Sequence, residues 1–328
     1  MQERINWIDW AKVIAIAFVV FGHVPQPVGS LPIGYICTFH MPLFFMLSGY
    51  LAKGCTDIHR NIRKHWHSLV LPYILYNMIF YPYWLLRHIL EGGDISAVDV
   101  VLKPFLGVIF LQIETPYSTT VSGVTWFLAA LLAMRIALNM IYRSKHELHL
   151  MLLSSLVVAV LYVVNESNHV FNNLFAVGLL YCYPFYIVGH LFAKYMILDR
   201  MENRIGSVFF LLASVSIFLF ANSYTEWKGI TTSYLIAMTG SISVIYACRM
   251  LNSYTSSMLI TLSTGTIAIM GLHWMIIGTM NYVVEKLFGL SEVIYVFPIA
   301  LMLTIAIMMA IYPFILLCSK YWPGLLGK

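Results

Sequence analysis

The chain has 328 residues, of which 60% are hydrophobic and 10% are charged, and its mean hydropathy is +0.82. About a quarter of the residues of a soluble domain are charged, so this composition excludes a soluble protein and predicts an integral membrane protein. The net charge of +5 is scattered over the predicted loops and not gathered into one basic patch with interleaved aromatic residues, so we expect no nucleic-acid partner.

Ten apolar stretches of about 20 residues are long enough to cross a bilayer as helices. They lie at 7–24, 32–52, 69–90, 123–142, 148–165, 173–194, 205–222, 229–250, 259–284 and 293–318. Apolar and polar residues do not alternate with period two, as they do in membrane strands, so we predict an all-α bundle of about ten helices. The shorter stretch 98–112 contains Pro104 and Gly107 and is predicted to be interfacial or re-entrant. We expect one membrane-embedded domain over residues 1–328.

The distribution of basic residues predicts the orientation in the membrane. If the N-terminus is cytoplasmic and the ten spans alternate, 13 of the 19 Lys and Arg residues lie on the cytoplasmic side. This excess agrees with the positive-inside rule and predicts that both termini are cytoplasmic. The first apolar run contains Asp9 and Lys12 and is followed by no small-x-small cleavage site. We therefore expect it to be retained as a span and not removed as a signal peptide.

The first span, DWAKVIAIAFVVFGH from residue 9, contains three ionisable side chains. Lys12 and His23 are 11 residues apart, so they share one face of a helix and are separated by about 16 Å along its axis. Asp9 lies three residues before Lys12 and can pair with it. Intramembrane ionisable groups usually face the bundle interior or a wet cavity and mark a substrate path. An Asp9–Lys12 pair at one membrane interface, with His23 at the other, is the structural alternative.

The second span, GYICTFHMPLFFMLSGY from residue 34, contains His40 two residues before Pro42. Proline removes a backbone donor, which predicts an interruption of the helical hydrogen bonds at membrane depth. Ser48 and Gly49 add a second small, flexible point. Because the first span runs outward and the second returns, His23 and His40 should lie at similar heights. They predict a polar pocket, although a His40 satisfied within the core is the alternative.

The densest basic cluster of the chain follows the second span. It contains Arg60, Arg63, Lys64, His65 and His67. One interpretation is topological anchoring, or contact with anionic lipid headgroups. The other is an anionic cofactor, because phosphates need Arg or Lys partners.

Seven segments occur in order over nearly the whole chain: INWIDWAKVIAIAFVVFGH, FHMPLFFMLSGYLAKG, the basic run ending in LVLPY, TWFLAALL, YPFYIVGHLFAK, TGTIAIMGLHWMII and KYWPGLLGK. Together they resemble the acyltransferase 3 family of membrane-bound bacterial O-acyltransferases. The resemblance implies about ten spans in the bacterial inner membrane. It also implies that an acyl group, commonly acetyl, passes from cytoplasmic acyl-CoA to a hydroxyl of a cell-surface or lipid-linked glycan. The family's basic-x10-His motif falls on Lys12 and His23, and its Arg-x-x-Arg element falls on Arg60 and Arg63.

The resemblance also implies roles for individual residues. His23 would be the general base on the acceptor hydroxyl, with His40 as a further catalytic candidate and Asp9 orienting or neutralising Lys12. The candidates for binding the phosphates of CoA are Lys12, Arg60, Arg63 and Lys64. The candidates for substrate binding are Ser48, Trp126 and His273. A tryptophan of the interfacial aromatic belt is the alternative for Trp126, and a hydrogen bond within the bundle is the alternative for His273. Direct transfer and a covalent acyl-histidine intermediate both fit these roles.

Intramembrane ionisable groups would also suit a transporter or flippase for a glycan or a small anion. No inverted repeat is visible, and the charges gather in the first two spans, which favours the enzyme. A receptor-like scaffold without turnover is a third possibility. The sequence contains no G-x-S-x-G, P-loop or His-Glu-x-x-His motif, so serine-esterase, ATPase and zinc-protease chemistry lack support, and we expect no metal.

Overall fold

The computed structural model describes residues 4–54, 58–224 and 229–328, and of residues 58–60 it describes only the backbone. Within these residues every regular element is helical, which confirms the predicted all-α fold. The α-helices are α1 (Asn6–His23), α2 (Leu31–Tyr50), α3 (Ile58–His65), α4 (Leu71–Leu90), α5 (Lys103–Ile109), α6 (Trp126–Ile141), α7 (Glu147–Asn168), α8 (Leu174–Lys194), α9 (Asn203–Ser223), α10 (Ile230–Met250), α11 (Ser257–Thr264), α12 (Thr266–Phe288) and α13 (Phe297–Tyr321).

Nine helical runs in the described part of the chain are long and apolar enough to cross a membrane. One of them, Asn61–Leu90, joins α3 to α4 through a π-helical turn at Trp66–Val70. The predicted membrane bundle is therefore confirmed. The predicted first span forms α1 but is not among the nine, because its charged and polar side chains dilute its apolar run.

Three predicted spans or segments differ in detail from what the structure shows. The stretch 259–284 is divided at Gly265, which ends α11 and precedes α12. The helix α2 continues through Pro42 without a break, so the predicted interruption does not end it. The stretch 98–112 forms a π turn and α5, after which Gln112 adopts a positive φ of 65° and the chain turns back. The amide of Thr119 then donates to the carbonyl of Lys103 at 3.0 Å.

The chain divides into two compact units. Unit 1 comprises Met1–Ala52, Phe185–Ile269 and Ile276–Leu316. Within it, α1 packs on α2, α10 and α11, and α2 also packs on α10. The buried face of α1 includes Ala11, Ala15 and Val19, spaced four residues apart. This spacing places them on one side of the helix, and the two alanines allow close approach of its neighbours.

Unit 2 comprises Lys53–Pro184, Met270–Met275 and Leu317–Lys328. Within it, α6 packs on α7 and on the π turn Trp66–Val70, and α4 packs on the 3₁₀ turn Pro323–Leu326. The side chain of Tyr76 in α4 donates to the carbonyl of Leu325 at 3.1 Å. This bond joins the C-terminal segment to α4.

Candidate functional site

His23 is the last residue of α1, and its side chain is exposed. Its Nδ1 lies 2.8 Å from the carbonyl oxygen of Val19, one turn earlier in the same helix. A carbonyl oxygen can only accept a hydrogen bond, so in the neutral ring Nδ1 carries the proton. The basic lone pair of this tautomer is on Nε2. The local fold of α1 thus presents His23 in the form that can accept a proton at Nε2.

His40 repeats this arrangement in α2. Its Nδ1 lies 3.2 Å from the carbonyl oxygen of Ile36, again one turn earlier, and the side chain is half-buried. The two imidazoles are close enough to interact electrostatically, and α1 and α2 are in direct contact. The structure therefore brings together the two histidines that the sequence predicted at similar heights.

Asp9 lies at the other end of α1 and is only 5% exposed. Arg4 binds both oxygens of its carboxylate, from Nε at 2.6 Å and from the terminal guanidinium nitrogen at 3.0 Å. Ser263 of α11 donates to Oδ1 at 2.5 Å. Asp9 precedes His23 by 14 residues, or about 21 Å of helix, so it does not orient that ring. Its contacts instead fasten α1 to α11.

Arg4 and Ser263 were not identified from the sequence. Arg4 lies in the segment before α1, so the spacing rules for residues of one helix could not pair it with Asp9. Ser263 is 254 residues away along the chain, and no local pattern connects it to α1.

Lys12 is half-buried on α1, and Ser48 is half-buried in the last turns of α2. All these residues belong to unit 1.

The predicted phosphate ligands on α3 belong to unit 2. Arg63 and Lys64 are exposed in the last turn of this helix. Arg60 is in the same helix, but its side chain lies outside the described residues. Their part in donor binding stays a prediction.

The two other predicted substrate ligands, Trp126 and His273, also lie in unit 2. The indole of Trp126 covers Gly178 so closely that a Cβ there would be 2.2 Å from Cζ3 of the ring. Part of this ring is therefore used in packing within the unit. His273 in α12 is fully buried.

A buried polar network in unit 2 was also not identified from the sequence. Gln112 donates to Oδ1 of Asn77 at 2.8 Å, and its own side-chain oxygen accepts from the amides of Val121 and Ser122 at 2.8 and 3.2 Å. Asn77 also donates to the hydroxyl of Thr125 at 3.2 Å. These bonds fix the segment after α5 against α4 and the start of α6.

Comparisons with known proteins agree with the sequence motifs. Residues 5–313 match the model of acyltransferase family 3, which is described as an acyltransferase domain. The chain is 28% identical over 198 residues to the nodulation protein NolL of Mesorhizobium japonicum, covering 57% of this chain and 47% of that protein. It is 30% identical over 199 residues to NolL of Sinorhizobium fredii, covering 57% and 48%.

The chain thus spans about half the length of the curated relatives that it matches. No solved structure matches it. The family model, in contrast, extends over nearly the whole chain and includes α1, with Lys12 and His23, and α12, with His273. With the helical membrane fold, this match shows that the chain belongs to the acyltransferase 3 family of membrane acyltransferases.

Proposed function

We propose that the chain is a membrane-bound O-acyltransferase whose activity is carried by one domain over residues 1–328. Its donor is cytoplasmic acyl-CoA, with acetyl as the default acyl group, and its acceptor is a hydroxyl of a cell-surface or lipid-linked glycan. The family match supports acyl transfer. The excess of basic residues in alternate loops supports insertion into the bacterial inner membrane with both termini cytoplasmic.

The hydrogen bond between His23 and Val19 carries the mechanistic part of this proposal. In this mechanism, Nε2 of His23 takes the proton of the acceptor hydroxyl while the hydroxyl oxygen attacks the thioester carbon. The new C–O bond forms, the C–S bond breaks, and the proton passes to the departing CoA thiolate. A positioned general base contributes about 10²–10⁴-fold to such a step. A covalent acyl-His23 intermediate is the alternative route, and it uses the same nitrogen.

Lys12 supports donor binding because it lies on the same face of α1 as His23, about 16 Å away along the axis. Its ammonium would hold phosphates of CoA while the pantetheine arm extends along the apolar face between them. Further proposed phosphate ligands are Arg60, Arg63 and Lys64. His40 would assist at the reacting end, and the proposed substrate contacts are Ser48, Trp126 and His273.

The proposal is tested with purified protein in nanodiscs, acetyl-CoA labelled in the acetyl group, and a membrane fraction containing surface glycans. We expect the wild-type protein to release labelled acetate or to label the glycan. We expect His23→Gln to lower this rate by about 10²–10⁴-fold. The matched control is His149→Gln, which replaces an exposed histidine of α7.

A folded His23→Gln protein with wild-type turnover would overturn the general-base assignment. Absence of thioester turnover, together with glycan or anion flux across sealed vesicles, would overturn the enzyme and support the transporter.

A further inference from the structure

Unit 2 contains a cleft of about 360 Å³ that the proposed acyl transfer does not use. One wall is formed by α3 and the π turn that follows it, and the other by the last turns of α6. Its walls are mostly apolar. Trp66, Ile136 and Met140 line it with side chains that are 49%, 48% and 73% exposed. The cleft therefore opens sideways, toward the surroundings of the helices.

A buried histidine lies at the polar end of this cleft. His65 is 8% exposed, and its Nε2 lies 3.4 Å from the side-chain nitrogen Nδ2 of Asn139. Among the residues that the structure describes, its Nδ1 has no hydrogen-bond partner. Leaving a buried polar atom in this state costs about 1–3 kcal/mol, so such atoms usually mark a ligand, an ion or a water.

The electrostatic surroundings of His65 favour a negatively charged ligand. Arg143 lines the same cleft with an exposed guanidinium, and among the described residues it has no carboxylate partner. Arg135 and Lys64 are near enough for their positive charges to act on His65. None of the described residues that line the cleft is acidic. A phosphate could receive hydrogen bonds from Arg143 in the bidentate geometry that guanidinium groups favour.

The position of the cleft identifies the kind of anion. It lies where two helical runs that can cross a membrane, Asn61–Leu90 and Gly123–Ile141, meet at one end. Lipid headgroups lie at the ends of such helices, and acyl chains lie along their length. An exposed tryptophan next to a cationic residue is typical of this interface. The charged end and the apolar walls thus match the two parts of a phospholipid.

We propose that this cleft binds one anionic phospholipid of the membrane. Its phosphate lies beside Arg143 and Nδ1 of His65, and one acyl chain lies along Trp66, Ile136 and Met140. Of the proposed donor ligands on the same helix, Arg63 precedes His65 by two residues and lies about 160° around the helix from it. Lys64 is adjacent to His65, and its charge acts on this site as well.

The proposal is tested by delipidating the protein and reconstituting it in phosphatidylcholine nanodiscs, with and without a photoactivatable phosphatidylglycerol. Crosslinks are mapped by peptide mass spectrometry, and retained lipid is counted by native mass spectrometry. We expect crosslinks within residues 61–70 and 132–143. We expect Arg143→Gln to lower phosphatidylglycerol retention about tenfold, which corresponds to the loss of one charge-assisted contact.

The matched control is Lys145→Gln, which removes an exposed cation outside the cleft lining. His65→Leu tests the buried end, and Arg143→Gln keeps the test decisive if His65→Leu fails to fold. Equal losses in Arg143→Gln and Lys145→Gln would overturn the site, as would crosslinks elsewhere. Displacement of the lipid by acetyl-CoA would assign the cleft to the donor and overturn the lipid. Lipid retention is measured without turnover, so it can fail or succeed independently of the acyl transfer.

Discussion

Gly49 of α2 lies directly against the backbone of Tyr186 in α8, and a Cβ added at residue 49 would be 1.9 Å from that carbonyl oxygen. The contact is reciprocal, because a Cβ at Gly189 would be 1.9 Å from the carbonyl oxygen of Met46. Small residues at both positions allow two membrane helices to touch through their backbones. Neither carbonyl can rotate away as a flexible side chain could, so a methyl group requires the helices to separate.

We predict that Gly49→Ala and Gly189→Ala each lower stability by about 1–3 kcal/mol through overpacking. This loss is measured by unfolding the purified protein in detergent with heat or with a denaturant. Gly34→Ala is the control in the same α2, because its Cβ would lie 3.6 Å from Cζ of Phe218, an ordinary contact. If Gly34→Ala were as destabilising as Gly49→Ala, the backbone contact would not be the cause.

The hydrogen bond from Ser263 to Asp9 leads to a second stability prediction. Hydrogen bonds to charged groups contribute about 1.5–3 kcal/mol, so we expect Ser263→Ala to lower the free energy of unfolding by about this amount. Ser257→Ala, at an exposed position of the same α11, should have little effect. The double variant Ser263→Ala/Asp9→Asn should be less destabilised than the sum of the single variants. Additive losses would contradict the contact.

Gln112 provides a third prediction, within unit 2. Gln112→Leu would leave the amides of Val121 and Ser122 and the side-chain oxygen of Asn77 without this partner. The oxygen of Asn77 keeps the hydroxyl of Thr125 as a donor at 3.3 Å. The two orphaned buried amides cost about 1–3 kcal/mol each, so we expect a loss of about 2–6 kcal/mol. Hydrogen exchange should accelerate at the amides of residues 121 and 122. Glu114→Gln, an exposed change in the same segment, should leave both measurements at wild-type values.

Lys12 leads to a kinetic prediction that separates binding from chemistry. We expect Lys12→Gln to raise KM for acetyl-CoA about tenfold or more while kcat changes little, because a phosphate contact contributes to ground-state and transition-state binding alike. The same variant should hydrolyse S-acetylpantetheine, which has no phosphate, with the wild-type KM. His23→Gln should instead lower turnover with both thioesters. A parallel effect of Lys12→Gln on both donors would remove its assignment as a phosphate ligand.

The spans were predictable because a run of about 20 apolar residues in a bilayer must satisfy its backbone internally, which requires a helix. The predicted stretch 229–250 differs from α10 by one residue at its start. The break at Gly265 was not predictable in this way. Its tight packing partner there is Ile315, whose side chain would lie 2.4 Å from a Cβ at residue 265. Such a contact, fifty residues away in sequence, leaves no local pattern.

The candidate site shows the same division between local and distant contacts. The approach of His23 and His40 follows from two consecutive spans of opposite direction, and the sequence was sufficient to predict it. The partners of Asp9 required the structure, because they depend on how α11 packs on α1. Likewise, an aromatic residue at the start of a span gives no indication that Gly178 lies beneath the ring of Trp126.

The carbonyl of Val19 accepts a hydrogen bond from Nδ1 of His23, so only Nε2 is left to exchange a proton in the proposed acyl transfer. A proton cannot enter this imidazole at one edge and leave at the opposite edge while that bond persists. The edge that receives the hydrogen must also return it, so in the proposed mechanism the acceptor hydroxyl and the thioester sulfur would both have to approach the ring from the Nε2 side. A bisubstrate analogue that joins the proposed acceptor and donor by a short linker should therefore bind the protein more tightly than either half alone.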